Sequence, residues 1–114
     1  MPDPRDAHDI LRIVLDEIEG GADMPLTDNA RTDFISEYFP AFDRRFKEVG
    51  AEGWNKEEKT VKRVADIHGK IAGMLAKLGN EGVVTARILM GVAPIVEQQC
   101  GVRTKGEGAW CSGG

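Results

Sequence analysis

Apolar residues recur along this chain at steps of three and four, the spacing of one face of an α-helix, and almost nowhere do they alternate as in a strand. Ile10, Leu11, Val14, Leu15 and Ile18 form a first stripe, which predicts a helix from about Asp6 to Glu19. Asp6 and Asp9 suit the positive end of its dipole. Gly20-Gly21, followed by Pro25, read as its stop. Phe34, Ile35, Tyr38, Phe42, Phe46 and Val49 form a second stripe, with Thr27 or Asp28 as the cap. Phe39 lies among them, so this segment carries the bulkiest part of the expected core. Pro40 interrupts it. A proline inside a helix costs about 3 kcal/mol, which predicts a kink or two short helices.

The third helix has the clearest boundaries. Gly50–Trp54, with two glycines, reads as a loop; Asn55 then caps a helix and Glu58 takes the reciprocal capping-box position. Thr60, Val61, Val64, Ile67, Ile71, Met74, Leu75 and Leu78 make its stripe, and Gly79-Asn80 end it. Glu58 to Lys62 and Asp66 to Lys70 are acid-before-base pairs at the spacing that favours a helix. Gly69 and Gly73 sit one turn apart beside Ala72 and Ala76. That smooth strip predicts close approach of another helix, assigned here to the fourth, which also contains a glycine.

The fourth helix, about Val84 to Gln99, is apolar nearly all round, as expected of a helix surrounded by others. Gly91 and Pro94 predict a kink in it, and Gly101 an end. These elements give an all-α fold: a compact four-helix bundle, or five helices if Pro40 breaks the second. It occupies residues 1–101, followed by a flexible Gly-rich tail over residues 102–114. A second copy covering the fourth helix is the alternative way to complete the core.

Charge modifies this picture at one point. The net charge is −4, but residues 1–30 hold eight acids and two bases, whereas residues 31–79 hold ten bases and eight acids. The simplest expectation is an acidic first helix lying against a basic third one. A hydrophobic content of 41% and a charged content of 30% are ordinary for a water-soluble domain. The apolar run Val83–Val96 contains Arg87, Gly91 and Pro94 and falls short of the roughly 20 residues a membrane span needs. Met1-Pro2-Asp3-Pro4 offers no secretory pattern. The cytoplasm is then the expected location, with Cys100 and Cys111 reduced.

Reaction machinery is hard to find. His8, His68, Cys100 and Cys111 lack the close pairing of zinc ligands, and no Glu-x-x-His pair suits a di-iron bundle. Ser36 and Ser112 are the only serines, and neither sits in a GxSxG turn; there is no phosphate-binding glycine loop. No cofactor, metal or catalytic residue is assigned. His68, beside Ile67 at the edge of the third stripe, reads as hydrogen-bonded structure.

The remaining candidates belong to a surface. Arg44, Arg45 and Lys47 end the second helix, and Lys59, Lys62 and Arg63 follow on the third. Glu48, Glu52, Glu57, Glu58 and Asp66 are mixed among them, which argues against a phosphate-gripping face. Trp110, in the glycine-rich tail, has the character of an aromatic anchor. These residues lead to the expectation of a small non-catalytic module that binds another protein. An adaptor, inhibitor or immunity-type protein of phage or mobile-element kind fits it, with a homodimer as one form. A nucleic-acid-binding transcriptional regulator is the second reading. A small-molecule- or metal-binding bundle is the third.

Overall fold

The computed structural model describes residues 6–100. It is all-α, with three helices in the order α1 (Ala7–Ala22), α2 (Asp28–Leu78) and α3 (Ala86–Cys100). The count differs from the expected four because the second and third predicted helices are one element. Within α2 only Gly50 leaves helical geometry, at φ 70° and ψ 176°. The expected loop Gly50–Trp54 thus shrinks to one residue, and Asn55 is an interior helical position rather than a cap.

A straight helix of the 51 residues in α2 would extend about 76 Å. The longest dimension of the molecule is 44 Å. The helix therefore folds back at Gly50 into two limbs, residues 28–49 and 51–78. Edge-to-face rings join the limbs, Phe42 to Trp54 at 5.9 Å and Phe34 to His68 at 6.2 Å. Arg45 reaches across to Glu57. The residue pairs run in opposite directions from Gly50, so the limbs are antiparallel.

Asp6 caps α1, its carboxylate accepting from the Asp9 N–H at 2.9 Å. The helix does not stop at Gly20-Gly21 but continues to Ala22. It ends where Asp23 takes a left-handed conformation (φ 57°) and donates its N–H to the Glu19 carbonyl. Gly21 is needed inside the helix because a Cβ there would collide with the Asp66 backbone carbonyl. Thr27 caps α2, its Oγ1 accepting from the Ala30 N–H at 3.0 Å.

Neither proline breaks its helix. Pro40 and Ser36, whose carbonyl Pro40 cannot serve as a donor, are both exposed, so water can satisfy the freed oxygen. Pro94 also lies on the exposed side of α3. The possibility of a fifth helix is therefore not realised.

α1 packs against both limbs of α2. Against the first limb it runs antiparallel, with His8 on Phe39 at 5.0 Å and Arg31 on Glu19 at 2.7 Å. Against the second it crosses at Gly69 and Gly73. A Cβ on Gly69 would strike the Ile18 carbonyl, and one on Gly73 would lie 2.7 Å from the Ala22 carbonyl. The small-residue strip therefore seats α1, not the last helix as expected. The charge pairing is also relocated. Asp16 and Glu19 of α1 meet Arg31 on the first limb of α2 rather than the basic third segment.

Among the described residues α3 packs on α2 alone. Leu89, Val92, Ala93 and Val96 are buried, while Gly91, Pro94 and Ile95 face outward, so the helix is covered on one side rather than surrounded. The turns before α2 and α3 fasten to each other. The Thr27 N–H donates to the Val84 carbonyl at 3.0 Å, and the Val84 N–H donates to the Pro25 carbonyl at 2.9 Å.

Candidate functional site

The basic residues singled out in the sequence separate into two groups. Arg45 is drawn between the limbs, with Nη2 2.5 Å and Nε 3.3 Å from Glu57 and Nη1 3.3 Å from Glu48. Its hydrogen bond to Glu57 raises its pKa further above the usual arginine range, against the opposing effect of burial. Lys47 pairs with Asp43 at 3.1 Å and Lys62 with Glu58 at 3.3 Å, each one turn away on the same helix. Arg44, Lys59 and Arg63 are exposed. Interleaved carboxylates thus neutralise Arg45, Lys47 and Lys62, and Arg45 is a clamp between limbs rather than an open contact. Trp110 lies outside the described residues, as does the expected tail.

A different surface emerges at the far end of α2. The third apolar stripe was expected to be core throughout. Val61 and Val64 are buried, but Met74 is 57% exposed and Leu78 75% exposed. The cause is a difference in length. α1 ends at Ala22, opposite Gly73, while α2 continues to Leu78 with nothing among the described residues laid over Met74 and Leu78.

The uncovered turn borders a cleft of about 420 Å³. Ala22 and Gly73 form its floor, Met74 and Leu78 its apolar wall, and Lys70, Lys77 and Asp23 its polar rim. Lys70 is held by Asp66 at 2.9 Å. The floor is flat because Gly73 has no side chain where the end of α1 lies against it. The sequence signal for this site was present but ambiguous: a stripe continuing past the length of its expected cover looks the same as a longer core.

His68 belongs to the interior. It is 4% exposed, and its Nε2 lies 2.9 Å from the Leu89 carbonyl of α3. A carbonyl only accepts, so Nε2 carries the proton and donates it. Burial pushes the imidazole pKa below its usual value, with the Leu89 hydrogen bond opposing the shift. The space lined by Val14, Phe34, Phe42, Val61, Val64, Ala65 and His68 measures about 10 Å³, no more than one water requires. His68 ties α2 to α3 as the structural reading expected.

Among the described residues no three His, Cys, Asp or Glu side chains come together to hold a metal ion, and no helix is long and apolar enough to cross a membrane. The chain matches no protein-family model, no curated protein and no solved structure.

Proposed function

We propose that this chain is a non-catalytic protein-binding module, of adaptor, inhibitor or immunity type, that docks through the exposed end of α2. The reading rests on Met74 and Leu78, two large apolar side chains held in water on a packed helix beside an open cleft. Burying a side chain of this kind contributes about 1.5–3 kcal/mol, so leaving two uncovered favours a function at that edge.

The cleft fits an amphipathic helix from another protein. Such a helix would set an apolar residue over the Ala22–Gly73 floor and direct carboxylates at Lys70 and Lys77. Exposed Arg44, Lys59 and Arg63 would steer an acidic partner on approach without contributing much to its retention. The partial neutralisation of the basic cluster weighs against a phosphate-binding role.

The test compares the native chain with Leu78→Asp in a titration of the partner captured from the native host. Binding should weaken at least about tenfold, the equivalent of 1.4 kcal/mol. The thermal midpoint should shift little, because Leu78 is largely exposed already. A partner that binds both chains equally well rules out this surface.

A further inference from the structure

The fold-back of α2 has an alternative. Its two limbs are joined by one non-helical residue, shorter than the 2–8 residues that usually connect antiparallel helices. Gly50 holds φ 70° and ψ 176°, a region essentially restricted to glycine. Gly53 is required by the same bend, because a Cβ on it would lie 2.7 Å from the Val49 Cβ. In a continuous helix residues four apart stand about 5–6 Å from each other at Cβ. Both glycines therefore serve the bend, and a straight α2 needs neither.

The geometry points to exchange of halves between two copies of this chain, with α2 straightened at Gly50. Rotating that one residue into helical geometry turns α2 into a single rod. One end carries residues 6–49, including α1, and the other carries residues 51–100, including α3. A second copy then supplies each half with its counterpart. The Phe42–Trp54 and Phe34–His68 ring contacts, the Arg45–Glu57 pair and the hydrogen bonds of Val84 to Thr27 and Pro25 all re-form between molecules.

The partner must be another copy of the same chain. Gly69 receives the Ile18 backbone too closely for a side chain, and Gly21 receives the Asp66 backbone in the same way. Only a segment with matching glycine positions closes that crossing. Every contact of the closed molecule is conserved except at the hinge, which is the condition for a low-cost swap.

The test uses the full chain with Cys100 and Cys111 replaced by serine and spin labels at Asp33→Cys and Lys70→Cys. Labelled chain is mixed into an excess of unlabelled chain, unfolded, and refolded at micromolar and millimolar concentration. Folded back, the two labels flank the Phe34–His68 contact, roughly 20 Å apart. Along a straight α2 they stand about 56 Å apart. The millimolar sample should contain a dimer, by light scattering, in which the long distance appears within one chain. Gly50→Ala should raise the dimer fraction at least tenfold at equal concentration.

Dimers showing only the short distance within a chain overturn the proposal, as does the absence of dimer in the native chain at millimolar concentration. If Gly50→Ala fails to fold, the native-chain measurement decides alone. A folded Gly50→Ala monomer with the short distance also overturns it.

Discussion

Glycines in this chain have opposite roles according to what lies next to them. At Gly69 an added Cβ meets the Ile18 carbonyl, which is backbone and has nowhere to go, whereas at Gly20 nothing lies within 4 Å. Gly69→Ala should therefore destabilise the fold by about 1–3 kcal/mol, the usual range for overpacking. Gly20→Ala should stabilise it by about 0.5–1 kcal/mol through helix propensity alone. Denaturant midpoints of the two variants check both signs. His68 gives a pH dependence with a definite direction. Its pKa is lowered in the folded chain, so the unfolded chain binds the proton first as pH falls. The stabilisation is complete above the unfolded value of about 6.5. It declines below that pH until the buried ring itself protonates. The thermal midpoint of the native chain should drop more steeply from pH 7 to 5 than that of His68→Gln. Parallel curves would count against this.

At the scale of the helix, period carried more information than punctuation. The stripes from Ile10 to Ile18 and from Phe34 to Val49 pack as their spacing implies, because burial of one face dominates local propensity. Gly79-Asn80 ends α2 as expected, but two other stop and break signals misled. Gly20-Gly21 looked like a terminus, but α1 runs through it and Gly21 serves a close crossing, and Pro40 looked like a break but lies on the wet side of its helix. A sequence does not show which neighbour a small-residue strip faces, so the Gly69–Gly73 seat was assigned to the wrong helix. The same limit concealed the cleft, since exposure of Met74 depends on where α1 ends opposite it. Arg45 was read as part of an open basic face, yet its side chain is 26% exposed and joins the two limbs through Glu57. Arg45→Glu would replace that pair with facing carboxylates. It should lower stability by about 1.5–3 kcal/mol, the range for a charged hydrogen bond, a loss read directly in the urea midpoint. A change of a few tenths or less would show that the clamp contributes little.

At the scale of the whole molecule, and among the described residues, the acidic first segment meets the basic middle of the chain at Arg31. Asp16 and Glu19 from the acidic first segment pair with Arg31, and most other ion pairs are local to a helix. Exposed pairs of this kind contribute about 0–1 kcal/mol each, so the body is held by its aliphatic and aromatic interior. Phe34, Tyr38, Phe42 and Trp54 are the largest fully buried side chains among the described residues, and all four belong to α2. The central element thus supplies both the bulk of the interior and, at its uncovered end, the proposed docking edge.

The knot between Pro25, Thr27 and Val84 affects how that edge behaves. It fixes the two connections that flank the cleft at Asp23 and Leu78, at the pole opposite Gly50. A helix docking as proposed would therefore meet a preorganised ledge instead of ordering one on arrival. The entropy normally lost when a binding loop stiffens would already have been lost in folding, leaving more of the contact energy for affinity in the proposed complex.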